Sequence, residues 1–213
     1  MTIWRNALVL SLCLSGLTDA SDWPQFLGLN RTGTSAETGL LKSFPATGPK
    51  VLWKTPLGTS MSGVAVVGSQ ALTLFQDDSQ QYAVALSTDD GRVLWKTALA
   101  PAFENGMGNG PRTTPAVADG RVFVMTGEGL LAGLDAASGK LLWKVPYKAT
   151  FDPAQATATP VLHGDKLLCL AAWNRGSMML QLDQSKPAAS VFWKTRTTPT
   201  ASSSNPVFRH EKH

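Results

Sequence analysis

Glycine-rich stretches are the first candidates for chemistry in this sequence, because such loops can bind phosphate groups through backbone amides. Residues 106–110 read Gly-Met-Gly-Asn-Gly, but this is not the spacing of a dinucleotide-binding loop, and the stretch neither follows an obvious strand nor opens a helix. Residues 133–140 are one residue too long for a P-loop, and Leu141 stands where Ser or Thr would bind Mg²⁺. Both stretches are therefore predicted to be turns.

The histidines and the cysteine outside the N-terminal segment form no catalytic or metal-binding pattern. His163 lies in a predicted hairpin turn, while His210 and His213 are three residues apart in a C-terminal tail, which is poor evidence for a metal site. Cys169 lies in an apolar stretch and is predicted to be a buried thiol used for packing. The sequence thus predicts no catalytic residue and no metal ligand, and it assigns no cofactor-binding residue.

The charges of the chain argue against nucleic-acid binding. The formal net charge is +4, and the basic residues are scattered rather than clustered with aromatic residues. A nucleic-acid-binding surface would instead show a basic patch or stripe. We therefore predict that most charged side chains lie on a solvated surface.

The first 20 residues have the features of a secretory signal peptide. Arg5 supplies a positive charge, residues 7–17 form an apolar run too short to span a bilayer, and Ala20 offers a small residue before the cleavage point. Leu12 precedes Cys13, and a lipoprotein signal needs a small residue at that place, so the sequence argues against a lipid anchor at Cys13. The sequence therefore predicts a periplasmic or secreted protein with no transmembrane segment in the mature chain.

A repeat dominates the rest of the sequence. Four tryptophans stand before a lysine at spacings of 42, 48 and 50 residues: Trp53, Trp95, Trp143 and Trp193. Periods of this length are typical of repeat proteins in which each unit contains four short strands. Around each tryptophan, short apolar stretches alternate with turn residues, so each unit is predicted to be a small antiparallel sheet.

Particular residues of the repeat have predicted structural roles. Gly91 and Gly139 lie in the turn before the tryptophan strand, where a left-handed backbone conformation favours glycine. Asp135 is predicted to accept backbone N–H groups in the same turn. The repeated tryptophan is predicted to fill the gap between neighbouring units.

These units predict an all-β fold, and specifically a β-propeller, because stacked four-stranded blades bury one another's apolar faces. A β-sandwich would also contain short strands, but it would not repeat Trp, Gly and Lys at this period. The predicted domains are a signal peptide at residues 1–20, an N-terminal extended lead-in segment at 21–48 and a partial propeller at 49–213. The propeller is predicted to contain about three complete four-stranded antiparallel blades, at about 59–98, 111–147 and 157–197, the start of a fourth at 203–213, and a strand at 49–55 donated to a closing blade.

The repeat itself resembles a known family. Residues 132–143 are similar to the PQQ-like propeller repeat, which occurs in quinoprotein dehydrogenases and in BamB-like scaffolds of outer-membrane assembly. The matching positions are Asp135, Gly139 and Trp143 in one copy, Gly91 and Trp95 in another where Ser87 replaces the Asp, and Asp183 and Trp193 in a copy whose turn is two residues longer. The resemblance implies the fold, and it implies little about activity because these repeats mark blades rather than a reaction.

Two further stretches resemble secreted BamB-like proteins of planctomycete-type bacteria. They are the opening Asp-Trp-Pro-Gln-Phe-Leu-Gly at residues 22–28, followed by Asn-Arg-Thr-Gly at 30–33, and the loop at 105–115. Family members usually have seven or eight blades, so the resemblance implies that this chain is truncated. Its remaining blades would come from a separate chain or from self-association.

The resemblance leaves three functions open. The first is a non-enzymatic extracytoplasmic scaffold that binds envelope or secreted proteins. The second is a remnant or part of a PQQ-dependent quinoprotein oxidoreductase, in which PQQ and calcium would bind only in a full-length relative. The third is a non-functional fragment of a longer propeller.

Arg112 is the polar residue with two competing interpretations. It precedes the innermost strand of its blade, where it would face the mouth of a central channel and bind an anionic ligand or a partner loop. Alternatively, it is a surface arginine that pairs with Glu104 or faces solvent.

Overall fold

The chain folds into β-sheet. The computed structural model describes residues 20–146, 159–170 and 177–195, and within them twelve strands form three four-stranded antiparallel sheets. The predicted signal peptide up to residue 19 and the predicted fourth blade at 203–213, with His210 and His213, lie outside the described residues. Among the residues described, no helix has the length and apolar character needed to cross a bilayer.

Each sheet is a meander in which consecutive strands are neighbours. The strands of blade 1 are β1 (Ala65–Val67), β2 (Gln70–Gln76), β3 (Gln80–Ser87) and β4 (Val93–Pro101); those of blade 2 are β5 (Ala116–Ala118), β6 (Arg121–Met125), β7 (Leu130–Asp135) and β8 (Leu141–Pro146); those of blade 3 are β9 (Val161–His163), β10 (Lys166–Leu170), β11 (Ser177–Leu182) and β12 (Ala189–Thr195).

The hydrophobic core lies between the sheets. One cluster joins blades 1 and 2 through Leu72, Leu74, Ala85 and Trp95 on one side and Val122, Val124 and Leu134 on the other. A second cluster joins blades 2 and 3 through Phe123, Met125 and Leu131 against Leu167, Cys169, Met178 and Leu180. Because each sheet buries its faces against its neighbours, this is the packing of propeller blades. The prediction of a partial β-propeller is confirmed.

Cys169 is fully buried in the cluster between blades 2 and 3. Desolvation by burial raises the pKa of its thiol. Burial penalises the charged thiolate, which is the reactive form. Cys169 therefore serves packing.

Candidate functional site

Trp95 joins blade 1 to blade 2 through the turn between β7 and β8. Its indole Nε1 donates a hydrogen bond to the carbonyl of Ala136 (3.0 Å), and Thr97 Oγ1 donates to the carbonyl of Gly139 (2.6 Å). The ring lies so close to Gly139 that a Cβ there would come within 2.4 Å of ring carbons, and Gly139 has φ +69°. Only glycine therefore permits this contact.

Trp53 repeats the same contact on blade 1. Its Nε1 donates to the carbonyl of Thr88 (2.7 Å), and Thr55 Oγ1 donates to the carbonyl of Gly91 (2.6 Å). A Cβ on Gly91, which has φ +71°, would come within 2.4 Å of the Trp53 ring. Residues 51–57 thus lie against blade 1 as β4 lies against blade 2.

The hydrogen bond from the threonine two residues after the tryptophan is not predicted from the sequence, although the sequence contains a pattern that could have indicated it. Thr follows the Trp-Lys pair in three of the four copies, as Thr55, Thr97 and Thr195, whereas Val145 takes that place after Trp143. A hydroxyl two residues after the tryptophan points to the same side of the strand as the indole. Both groups can therefore donate to the same turn.

The other two tryptophans have different surroundings. Trp143 lies over Gly133 of its own blade, where a Cβ would come within 2.4 Å of the indole, and its ring centroid is 6.2 Å from that of Phe123. The turn of blade 3 that would receive it is longer and has no glycine. Trp193 on β12 is 38% exposed, compared with 8% for Trp95. The structure therefore brings Trp53 and Trp95 to turn glycines, whereas Trp193 is partly exposed among the described residues.

The aspartates of the repeat organise turns. Asp135 Oδ1 accepts hydrogen bonds from Ser138 Oγ (2.6 Å) and from Ser138 N (2.8 Å), and these bonds lower the pKa of Asp135. Asp183 accepts the equivalent bonds from the hydroxyl and backbone N–H of Ser185, with the same effect on its pKa. In blade 1, where Ser87 replaces the aspartate, Asp90 instead accepts from Arg92 N (3.1 Å).

Replacing Asp135 with Asn is expected to reduce stability near neutral pH and to have less effect in acid. The folded-state pKa of Asp135 is lowered, so its ionised form contributes stability above the ordinary carboxyl pKa of about 4, and this contribution is lost as the pH falls through the lower folded value. Urea unfolding at pH 6 and at about pH 3 checks this prediction. The difference in free energy of unfolding between wild type and Asp135→Asn should be smaller at the lower pH. A difference that does not depend on pH would contradict the role of the ionised Asp135 in this turn.

Arg112 orders the loop that precedes it. Its Nη2 donates to the carbonyl of Gly108, and its guanidinium carbon is 5.8 Å from the Phe103 ring centroid. Its Nε is buried and has no hydrogen-bond partner within the described part of the chain. The guanidinium thus binds a backbone carbonyl rather than Glu104, and binding of an anionic ligand stays a prediction.

Residues 22–33 form a segment that we call the N-terminal clamp, because it contacts the innermost strand of each of the three described blades. Trp23 and Val66 of β1 exchange two backbone hydrogen bonds (2.7 and 2.9 Å), and the Pro24 carbonyl accepts from Val117 N of β5 (2.8 Å). Arg31 Nη2 donates to the carbonyl of Leu162 of β9 (2.6 Å). None of these contacts is predicted from the sequence, which indicates only an extended lead-in segment and a resemblance of this stretch to secreted BamB-like proteins.

Gln81 links blades 1 and 2, and this role is not predicted from the sequence. Its side chain is fully buried; its Nε2 donates to the carbonyl of Pro101 (2.8 Å) and to Glu128 Oε2 (2.6 Å), and its Oε1 accepts from Gly127 N (2.8 Å). This network satisfies a buried amide rather than presenting it to a ligand. Within the described ranges, no group of three or more His, Cys, Asp or Glu side chains could hold a metal ion.

The stacked four-stranded sheets and the repeated Trp–Gly docking define a β-propeller of the PQQ-like repeat class. The family model described as outer membrane protein assembly factor BamB matches residues 37–186. This is more than half of the chain, and the chain belongs to that family. No curated protein sequence matches the chain significantly.

Solved structures share the fold at low sequence identity. A quinohemoprotein alcohol dehydrogenase from Pseudomonas putida is 20% identical over 70% of this chain and 23% of its own, with a TM-score of 0.51. The designed Ika4 protein is 10% identical over 76% of this chain and 88% of its own, with a TM-score of 0.51. BamB from Moraxella catarrhalis is 21% identical over 68% of this chain and 39% of its own, with a TM-score of 0.47. The chain thus spans less than half the length of the two natural proteins.

Proposed function

We propose that the protein is a non-enzymatic scaffold, periplasmic or secreted, that binds envelope or secreted proteins by accepting a β-strand along residues 51–57. The description of its family as an outer-membrane assembly factor supports an envelope role. The observation that carries the proposal is the position of Trp53, which docks on blade 1 like an outer-strand tryptophan but lies on a segment that pairs with no strand in the described residues.

Unlike β4, residues 51–57 have no neighbouring strand paired to their backbone in the described part of the chain. Trp95 and Thr97 dock on blade 2 while the backbone of β4 pairs with β3. Trp53 and Thr55 dock on blade 1, yet Val51 and Leu52 are each 75% exposed. A strand position that is held by its side chains, and whose backbone pairs with none of the described strands, suits strand addition by another polypeptide.

The chemistry of the surroundings indicates what kind of strand would bind. Trp53 itself packs against a buried apolar cluster of blade 1 that contains Phe75, Val84 and Leu86. Because β3 pairs antiparallel with β4, a strand in the equivalent place would run antiparallel to residues 51–57. The residues of that strand that lie beside Val51 and Leu52, which are each 75% exposed, would be apolar, so that they pack against these two side chains.

Site-specific cross-linking tests the proposal. A photoreactive amino acid at Leu52, in the full chain expressed in the producing organism, should give discrete adducts with envelope or secreted proteins. The matched control is the same probe at Val93, which is 49% exposed on β4. Identical adducts at both positions, or cross-links from Leu52 only within its own chain, would overturn the proposal.

A titration with PQQ and Ca²⁺ separates the scaffold from the quinoprotein alternative. We expect no saturable binding by the purified chain and no reduction of an electron-accepting dye. Saturable uptake coupled to dye reduction would favour the oxidoreductase and would contradict a non-enzymatic role.

A further inference from the structure

We propose that the N-terminal clamp, residues 22–33, fixes the relative positions of the three blades by binding their innermost strands simultaneously. This role does not depend on the scaffold function, since it concerns contacts within the chain. The clamp would thus be an internal brace of the propeller rather than the extended lead-in that the sequence predicts.

The three contact points are equivalent positions in their blades. Val66, Val117 and Leu162 are each the middle residue of a three-residue innermost strand. In β1, the flanking residues Ala65 and Val67 lie opposite Leu72 and Gln70, while the backbone N–H and C=O of Val66 bond to Trp23. The clamp therefore uses the free edge of the innermost strand, and it does so once in each blade.

Internal hydrogen bonds hold the clamp in one shape, so it can act as a spacer. Gln25 Nε2 donates to the carbonyls of Gly28 and Leu29 (3.1 Å each), and Arg31 Nε donates to Gln25 Oε1 (3.2 Å). Leu27 and Arg31 have φ values of +64° and +54°, a left-handed conformation that non-glycine residues rarely adopt. Such conformations persist only where the surrounding contacts hold them.

The clamp is anchored at both ends. Asp22 Oδ1 accepts from Gly68 N in the β1–β2 turn (2.8 Å), and Arg31 reaches blade 3. Between these ends, the Trp23 ring packs on Gly28, where a Cβ would come within 2.7 Å of a ring carbon. A segment of fixed shape with a hydrogen bond to each blade binds only one spacing of the blades, and it therefore stabilises that spacing.

Hydrogen exchange of the full chain tests the brace with a matched glycine pair. Gly28→Ala should displace Trp23 and raise exchange of the Val66 and Val117 amides about tenfold, as expected for the loss of one hydrogen bond at each. Gly39→Ala is the control, because Gly39 has φ +74° but no atom within 4 Å of its Cβ position. Unchanged exchange at both amides, or an equal rise in all blades, would overturn the proposal.

A second pair of variants measures the spacing directly and serves if Gly28→Ala fails to fold. Spin labels at Val93 in blade 1 and Lys186 in blade 3 report the separation of the two blades. Arg31→Ala should broaden their distance distribution, whereas Arg92→Ala, which removes an exposed arginine paired with Asp90, should leave it unchanged. A distribution identical to wild type in Arg31→Ala would show that the clamp does not set the spacing.

Discussion

Replacing Trp95 with alanine is expected to lower the free energy of unfolding by about 3–5 kcal/mol. The side chain is 8% exposed, fills the core between blades 1 and 2, and donates a hydrogen bond to Ala136. Removing it leaves a cavity that two β-sheets cannot close without shifting. Urea unfolding followed by circular dichroism measures the loss in free energy of unfolding. The same curves show whether the variant unfolds in one step or in two.

Trp193→Ala is the control for that measurement, because it removes the same side chain from a position that is 38% exposed. We expect it to cost less than about 2 kcal/mol, in proportion to the smaller apolar area removed from contact. Equal losses at the two positions would mean that burial between blades does not explain the role of Trp95.

Gly139→Ala is expected to lower the free energy of unfolding by about 3 kcal/mol. An alanine at φ +69° costs about 1–2 kcal/mol, and the new methyl group would meet the Trp95 ring at 2.4 Å, which adds about 1–3 kcal/mol of overpacking. The expected structural result is displacement of the indole and loss of its hydrogen bond to Ala136. Thermal and urea unfolding give the energy, and faster hydrogen exchange of the Trp95 indole N–H would report the displacement.

Gly120 offers a closely matched control within the same blade. It has the same φ of +69°, but no atom lies within 4 Å of its Cβ position. Gly120→Ala should therefore cost only the backbone strain, about 1–2 kcal/mol. If both alanine variants lose the same stability, the contact between Trp95 and Gly139 contributes nothing and the docking assignment is wrong.

The sequence predicts the blades well because the residues that repeat are those that meet between blades. Trp95 and Gly139 lie 44 positions apart yet are in contact; the tryptophan recurs in each unit, and the glycine recurs in the turns of blades 1 and 2. Asp135 is predictable for a different reason, since its contacts with Ser138 are local.

The clamp could not be predicted because nothing in its sequence is periodic. Arg31 bonds to a backbone carbonyl, and the acceptor Leu162 therefore needs no particular side chain. The left-handed conformations of Leu27 and Arg31 also run against the usual preference of these residue types. For Arg112, the sequence indicates a loop residue near an innermost strand but not the partner, because the Gly108 carbonyl is likewise a backbone group.

The clamp also constrains the order in which the chain can assemble during synthesis. Its residues leave the ribosome before the three described blades. Arg31, however, can form its hydrogen bond only after Leu162 has been synthesised, 131 residues later in the chain. Closing so long a loop is slow unless intervening structure brings its ends together. Trp23 can pair with β1 first, Pro24 with β5 next and Arg31 with β9 last. Each blade would therefore bind the clamp soon after it is synthesised. The clamp, which precedes the three blades in the sequence, would thus act as a template for them, and its hydrogen bond to Leu162 would mark completion of the third blade.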